Sequence, residues 1–307
     1  MRIFVIFLLL ATFLLNTISA QTNVAITIDD VPNVRQYQKD KLHPLLLHKL
    51  DSLNVPIAIF INYSKLEQNK EIDKNKQLLS AWLQREYVTA ANHTFSHSRY
   101  SDVGFESFKK DIEKGEAFRE GTELKKDPKY FRFPFNDLGK DSLQHKKIKT
   151  YLKEQGFTIA PHTVESSDWM FSYLYEHYLK SGEMDKAKEV AAAYVVKTIQ
   201  YFDFFDSLAE TQYNRKINQI YLCHDNQLNA DYLPGIIQLL KEKNYSFISL
   251  EEALKDPIYH QEDNYYQKWG VSWLYRWMKN PKERSVAMKQ EPDIMEYYKV
   301  YEKLVNE

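Results

Sequence analysis

Two polar clusters have the residue types and the spacing of a metal site with an adjacent base. Asp29 and Asp30 follow an apolar run, and His93 and His97 are separated by three residues. Adjacent carboxylates raise one another's pKa unless a cation or hydrogen-bond donors use them, and neutral imidazole is a common zinc ligand. An Asp pair that begins a turn before Pro32 is the alternative for the first cluster. Taken together, the two clusters favour a bound divalent metal.

Two further clusters have side chains that act on substrates beside such a metal. Arg132 lies near a predicted strand end, where an arginine can bind and orient a carboxylate. A surface salt bridge explains an arginine at this position equally well. His224 ends another apolar run and suits a general acid if a carboxylate holds its ring. Asp168 and the neighbouring Asp225 both compete for that role. A core or capping histidine is the alternative interpretation of His224.

The apolar pattern places these clusters at the carboxyl ends of strands. β-type apolar runs predict strands at 24–28, 57–61, 87–91, 129–133, 157–160, 217–223 and 246–250. Helical spacing predicts helices between them, at 42–53, 75–85, 105–120, 143–155 and 233–243. This alternation indicates an α/β fold with a mainly parallel sheet, as an open doubly wound sheet or a closed barrel. Such folds carry their sites at the strand carboxyl ends.

Two regions depart from the alternation. Residues 171–211 predict two consecutive helices and are interpreted as a helical insertion in one loop. The tail, residues 258–307, is polar, helical and aromatic, with Trp269, Trp273 and Trp277 spaced four apart on one predicted helical face. That stripe indicates packing against the main domain, with a substrate-stacking face as the alternative. The predicted organisation is one catalytic domain over 21–257 and a helical C-terminal extension over 258–307.

The amino terminus has the pattern of an export signal. Residues 1–20 combine a basic start, an apolar core and small residues before Ala20, as in a secretory signal peptide. A membrane anchor is less favoured, because a spanning helix needs roughly 20 apolar residues. The predicted location is therefore secreted or periplasmic, without stable membrane insertion after cleavage.

The composition limits the classes of molecule that the protein is expected to bind. Cys223 is the single cysteine, so it cannot form an internal disulfide. The formal charge of −1 provides no basic field that would attract nucleic acid. The sequence does not indicate an oligomeric state.

The four clusters occur in the order of the motifs of the polysaccharide deacetylase family, whose catalytic unit is the NodB homology domain of carbohydrate esterase family 4. The chain resembles this family in five segments. They are Thr27 to Val31 for Thr-Phe-Asp-Asp-Gly, His93 to His97 for His-Ser/Thr-x-x-His, Arg132 to Phe135 for Arg-x-Pro-Tyr, Asp168-Trp169 for Asp-Trp, and Leu222 to His224 for Leu-x-His. The resemblance spans about residues 24–250 and covers neither the insertion nor the tail.

The resemblance implies a fold, a cofactor and a base. The fold is a distorted (β/α) barrel with fewer than eight repeats. The cofactor is a divalent metal, commonly zinc with cobalt or nickel as alternatives, bound by Asp30, His93 and His97. Asp29 is the base that takes a proton from the attacking water, and Arg132 orients it.

The resemblance also implies roles on the substrate side. The backbone N–H of Phe135 helps to hold the oxyanion, and His224, tuned by Asp168, protonates the leaving amine. Trp169 and Leu222 form the apolar wall around the acetyl methyl group.

Three positions depart from the family pattern. Val31, followed by Pro32, stands where the family has Gly, and Phe135 replaces Tyr. Glu165 stands where many members have Asp, which is expected to alter substrate contacts near the metal.

The activity implied is removal of acetyl groups from an acetylated poly- or oligosaccharide. N-deacetylation of N-acetylglucosamine in a chitin-like, peptidoglycan or exopolysaccharide glycan is the first expectation. An O-acetyl esterase acting on xylan or another acetylated polysaccharide is the alternative. A non-catalytic carbohydrate-binding protein on the same scaffold is the second alternative.

Overall fold

The computed structural model describes residues 21–120 and 128–307, so the predicted signal peptide lies outside the described residues. One sheet holds eight strands, and every pair of neighbours is parallel. The strands are β1 (Thr22–Val31), β2 (Ile57–Ile61), β3 (Val88–Asn92), β4 (Tyr130–Phe131), β5 (Thr158–Ile159), β6 (Val164–Glu165), β7 (Gln219–His224) and β8 (Tyr245–Phe247). Their order is β5-β4-β3-β2-β1-β7-β6, and β8 pairs with the start of β1.

Helices connect the strands and form the C-terminal tail. They are α1 (Val34–Lys39), α2 (Leu45–Asp51), α3 (Ile72–Leu83), α4 (Tyr100–Glu120, interrupted at Gly104), α5 (Ser142–Glu154), α6 (Asp168–Ser181), α7 (Met184–Tyr213), α8 (Gln227–Glu242), α9 (Leu250–Leu254), α10 (Trp273–Arg276), α11 (Pro281–Met288) and α12 (Met295–Asn306). The predicted distorted (β/α) barrel with fewer than eight repeats and a helical tail is confirmed.

Side chains alternate between the two faces of each strand, as the pleat requires. Ile26 and Ile28 of β1 belong to the large core under the helices, whereas Ala25 belongs to a smaller inner core with Phe60 and Ile220. This inner core fills the lower part of the barrel interior, whereas polar residues such as Asp29 and Arg132 occupy its upper end.

A short segment crosses the gap between the two sheet edges, β5 and β6. The N–H of Ala160 donates to the Phe131 carbonyl at 2.8 Å, and the N–H of Thr163 donates to the Ile220 carbonyl at 2.9 Å. Residues 160–163 thus attach to β4 at one end and to β7 at the other. The prediction has no strand at β6, because two residues are too few to give a periodic signal.

The segment predicted as an insertion contains the two predicted helices, α6 and α7, between β6 and β7. Because parallel strands need a crossover connection, these helices form the crossover that returns the chain to β7. Asp168 is the first residue of α6.

The tail departs from its prediction. The expectation that Trp269, Trp273 and Trp277 share one helical face is wrong, because α10 begins only at Trp273. Trp273 and Trp277 are buried, whereas Trp269 is exposed. Ser272 fastens the extension to the gap-crossing segment, since its Oγ donates to the Thr163 carbonyl at 2.7 Å. In the part of the chain that the structure describes, no helix is both long enough and apolar enough to span a bilayer.

Candidate metal and catalytic site

The inward-facing ends of four strands bring the predicted catalytic residues to one end of the barrel. Asp29 has the same parity in β1 as the inner-core Ala25, and it pairs in register with His224 of β7. His93 and Arg132 directly follow β3 and β4, in phase with the inner-core residues of those strands. Because the strands are parallel, the carboxyl ends of all four lie at the same end of the barrel.

Asp30, His93 and His97 form the one group of candidate metal ligands found in the described ranges, with their ligand atoms within 4.8 Å of one another. Asp30 and His97 have left-handed backbones, with φ of 63° and 58°. Two successive residues of an extended strand point to opposite faces. The turn at Asp30 lets its side chain join the site although Asp29 already faces the barrel interior.

The protonation states of the two histidines suit metal binding. His93 Nδ1 lies 2.8 Å from the Arg132 carbonyl oxygen, which accepts a hydrogen bond from the ring and leaves the Nε2 lone pair available. Burial lowers the pKa of His93, and it lowers the pKa of His97 to about 3. Both imidazoles are therefore neutral near pH 7.

Asp30 provides the anionic ligand of the trio. Burial acts to raise its pKa, but the nearby positive charge, above all that of Lys65, outweighs burial, so the pKa lies well below its usual value. Lys65 Nζ lies 3.7 Å from Asp30 Oδ1 and donates to the Asp30 carbonyl at 2.5 Å. One carboxylate and two imidazoles fit the donor set of a catalytic zinc site, which keeps a position open for water or substrate.

Arg132 holds Asp29 in a fully buried ion pair. Its Nη1 donates to Asp29 Oδ1 at 2.9 Å and to Thr27 Oγ1 at 2.7 Å. Its Nε and Nη2 donate to the carbonyls of Ala160 and Pro161 at 3.2 and 3.1 Å. The guanidinium therefore orients the predicted base and also ties the gap-crossing segment to the barrel interior.

Asp168 orients the ring of His224. Asp168 Oδ1 lies 2.7 Å from His224 Nδ1, while Oδ2 accepts from the His224 backbone N–H at 2.8 Å. Burial lowers the pKa of His224, but Asp168, with the charges of Asp29 and Asp30, raises it by more, to about 10. His224 is thus protonated at neutral pH. The competing candidate, Asp225, instead accepts a hydrogen bond from the Asn33 N–H at 2.8 Å.

The three predicted substrate-binding residues lie around this centre. Phe135 has a left-handed backbone, with φ of 57°, and its exposed ring packs 4.6 Å from the His97 ring between centroids. Trp169 is exposed at the start of α6 and lines a groove together with Asp30 and His224. Leu222 is buried and shares the inward parity of His224 in β7.

Sequence reasoning missed the residues that support these side chains. Asn229 Nδ2 donates to Asp168 Oδ2 at 2.6 Å and to the His224 carbonyl at 2.9 Å, and its oxygen accepts from Tyr194 at 2.7 Å. Asn226 adds a second amide donor to Asp168, at 2.9 Å. The one sequence signal for Asn226 and Asn229 was their position just after β7, which ends at His224. No sequence signal marked Lys65.

Glu165 of β6 lies close to the Asp168–His224 ion pair and pairs in register with Leu222 of β7. Its Oε1 accepts from the Ser167 N–H at 2.6 Å. Desolvation and the nearby Asp168 charge raise the pKa of Glu165 to about 8. It therefore differs from the ionised carboxylates of the centre, because it is mostly protonated at pH 7.

Several known proteins are similar to this chain. The family model described as polysaccharide deacetylase matches residues 18–151. Among solved structures, the peptidoglycan deacetylase PdaC from Bacillus subtilis is similar at 19% identity, covering 77% of this chain and 93% of that chain with a TM-score of 0.48. A wild-type CE4 family pseudoenzyme from Bacillus anthracis is similar at 16% identity, covering 77% and 66% with a TM-score of 0.48.

A third solved structure is the catalytic domain of a peptidoglycan N-acetylglucosamine deacetylase from Eubacterium rectale, at 18% identity, covering 75% of this chain and 89% of that chain with a TM-score of 0.46. At such low identities and TM-scores, these likenesses carry no argument about the chemistry of this chain. No curated protein sequence matches it. The family match ends before Asp168 and His224, but it contains the Asp pair, the His pair and Arg132. Over residues 18–151, less than half of its length, the chain is therefore similar to the polysaccharide deacetylase family.

Proposed function

We propose that this protein is a metal-dependent hydrolase that removes the acetyl group from N-acetylglucosamine units of a glycan. The observation that carries the proposal is the convergence, at one end of the barrel, of the Asp30, His93 and His97 trio with Asp29 and His224. A divalent cation held by the trio, for which we propose zinc, would activate a water and polarise the acetyl carbonyl.

Asp29 has the position of the general base. Its Oδ1 is occupied by Arg132 at 2.9 Å, whereas its Oδ2 lies 3.8 Å from His93 Nε2, on the side of the metal ligands. Oδ2 is therefore the atom that takes the proton from the attacking water. The buried guanidinium keeps the carboxylate oriented until that transfer occurs.

His224 has the properties of the general acid. Asp168 holds Nδ1, so Nε2–H is free to donate to the leaving group. As water adds to the acetyl carbon and the C–N bond breaks, the amine nitrogen takes this proton and acetate departs. An amine is a poorer leaving group than an alcohol and needs the proton more. The raised pKa of His224 keeps this proton on the ring at neutral pH.

Acetate release from a substrate panel tests the proposal. The panel contains N-acetylglucosamine oligomers and O-acetylated xylan, each with zinc-loaded protein, with chelated protein and after zinc is restored. Release from the N-acetyl oligomers that is lost on chelation and restored by zinc supports the proposal. Release that survives chelation contradicts the metal-dependent mechanism, and release from xylan alone favours the O-acetyl esterase. Glycan binding without any acetate release favours the non-catalytic alternative.

We also propose that the protein is exported. The pattern of residues 1–20 supports this location. Immunodetection of the full-length chain in cell fractions tests it: a mature form outside the cytoplasm is expected, and an unprocessed cytoplasmic form contradicts it.

A further inference from the structure

A groove of about 530 Å³ leads away from the candidate site between α1 and α6. Its inner end contains Asp30 and His224. One wall follows a face of α6 and consists of Trp169, Ser172, Tyr173, Glu176, His177 and Lys180. A helix rises 1.5 Å per residue, so this wall is about 16 Å long from Trp169 to Lys180. The groove is therefore longer than a single sugar ring.

Ser172 marks a polar contact point within this wall. It is 4% exposed, and its Oγ has no hydrogen-bond partner among the described residues. A buried hydroxyl without a partner costs stability. Because Ser172 lines the groove, a hydroxyl or amide of a bound glycan is a suitable partner for its Oγ.

The outer end of the groove has an excess of positive charge. Arg35 of α1 is exposed, and within the described ranges it has no ion-pair or hydrogen-bond partner. Across the groove, Lys180 pairs with Glu176 at 3.8 Å, and Glu176 also pairs with Lys39 of α1 at 3.3 Å. At the inner end, by contrast, Lys65 is already paired with Asp30. Among the described residues that line the groove away from its inner end, Arg35 and Lys180 are thus two cations for one anion, Glu176.

Aromatic side chains form the first part of the α6 wall, nearest the candidate site, and the C-terminal extension supports them. The rings of Trp169 and Tyr173 pack against Tyr301 of α12, with centroids 5.3 and 5.1 Å apart. The Tyr173 hydroxyl donates to the Leu304 carbonyl at 3.3 Å. Supported, exposed aromatic rings suit stacking on the apolar faces of sugars.

We propose that the groove between α1 and α6 binds the sugar units adjacent to the one that loses its acetyl group, and that Arg35 and Lys180 bind a carboxylate on one of those units. The proposal rests on the proposed function, since it places the reacting unit at Asp30 and His224. It names an acidic glycan as the substrate class. Arg35 is the residue that selects it.

Binding to three tetrasaccharides of equal length tests this subsite. The neutral probe contains only N-acetylglucosamine; the acidic probes alternate it with N-acetylmuramic acid or with glucuronic acid. Calorimetry with the zinc-loaded full chain carrying Asp29→Asn avoids turnover of the probes. Arg35→Ala and Ser172→Ala are added singly, and Lys76→Ala, an exposed cation of α3 outside the groove, is the matched charge control.

We expect about tenfold tighter binding of at least one acidic probe than of the neutral one, as a charge-assisted contact would give. Arg35→Ala removes this preference, whereas Lys76→Ala keeps it. Ser172→Ala weakens all bound probes about threefold without lowering Tm, since one hydrogen bond is lost. The two acidic probes identify which carboxylate position is bound.

Equal affinity for neutral and acidic probes overturns the proposal, and so does an equal effect of Arg35→Ala on both classes. Acetate release by the wild type without such a preference would overturn the subsite alone. Preference for an acidic probe without acetate release from any substrate would overturn the proposed function and leave the subsite standing.

Discussion

At the scale of single residues, the centre depends on which atoms of each side chain are already occupied. Arg132 takes one oxygen of Asp29, the Arg132 carbonyl takes Nδ1 of His93, and Asp168 takes Nδ1 of His224. The remaining atoms are the ones that the proposed reaction uses. Asp29, His93, Arg132 and His224 were predicted from sequence, because each is a reactive chemical type at the end of a predicted strand. Asp168 was favoured over Asp225 only by its match to the family motif.

Their supporting partners were not predictable in the same way. Asn229 and Asp168 are 61 residues apart, and their contact depends on how α6 and α8 pack. A lone Asn has no spacing that would distinguish a buried donor from a surface amide.

Arg132→Lys is expected to lower both activity and stability. Lysine lacks the planar set of donors that reaches Asp29 and two carbonyls together. Because a buried pair is disrupted, the free energy of unfolding should fall by about 3 kcal/mol, and acetate release should fall at least about 100-fold, as for loss of a positioned base. Urea unfolding and acetate assays measure these effects. Arg85→Lys, at the surface pair with Asp51, is the matched control; equal behaviour of the two variants would refute the role of Arg132.

Glu165→Gln is expected to make the protein more stable at high pH. The folded state raises the pKa of Glu165 to about 8, above the unfolded value of about 4.3, so the folded state binds the extra proton between these values. The contribution of Glu165 to the free energy of unfolding of the wild type therefore falls as pH rises from about 4.3 through 8. The difference in urea midpoint, variant minus wild type, should be larger at pH 9 than at pH 5. A difference that does not change with pH would contradict this assignment.

At the scale of elements, the strand and helix alternation predicted most of the barrel, and β2 has its predicted bounds. β6 was missed, because two residues show no alternation. The tryptophan stripe was assigned to one helix since spacing alone cannot show that the chain leaves the helix before Trp273. The tail instead attaches through specific polar contacts, which a periodicity cannot reveal.

Asp263 provides one such attachment, between the extension and α5. It lies 2.8 Å from both Arg276 and Lys149 and is buried. Asp263→Asn should lower the free energy of unfolding by about 3 to 5 kcal/mol, because it leaves the buried Arg276 without its counter-ion. Chemical denaturation measures the loss. Asp203→Asn, at the exposed pair with Lys243, should remain close to the wild type.

The effect of Asp263 also has a defined pH dependence. Burial acts to raise its pKa, but His145, Arg276 and Lys149 hold it well below the usual value. A lowered pKa contributes stability above the unfolded value of about 3.9, and this contribution is lost as pH falls further. The gap between wild type and Asp263→Asn should therefore narrow below about pH 4. A gap that widens there would contradict the ion-pair account.

At the scale of the whole molecule, the proposed metal links residues from two separate parts of the sheet. Asp30 lies in the last two residues of β1, whereas His93 and His97 follow β3. A ligand that binds only the folded chain stabilises it by about 2.7 kcal/mol at 100 times its Kd. For a domain of this size that corresponds to a rise in Tm of roughly 5 to 10 °C.

Thermal unfolding with and without zinc measures this linkage. Zinc should raise the Tm of the wild type, and it should raise the Tm of His97→Ala only slightly. His48→Ala, an exposed histidine of α2, should respond as the wild type does. An equal zinc response in all three proteins would place the metal elsewhere.

Asp29 and Asp30 are adjacent carboxylates with different proposed roles, and the two Asp→Asn variants separate these roles. Bound zinc per chain and acetate release from N-acetylglucosamine oligomers are measured for Asp29→Asn and Asp30→Asn. We expect Asp29→Asn to retain zinc and lose acetate release, and Asp30→Asn to lose both. Acetate release that persists in Asp29→Asn, or an Asp30→Asn protein that keeps both its zinc and its activity, would disprove these roles.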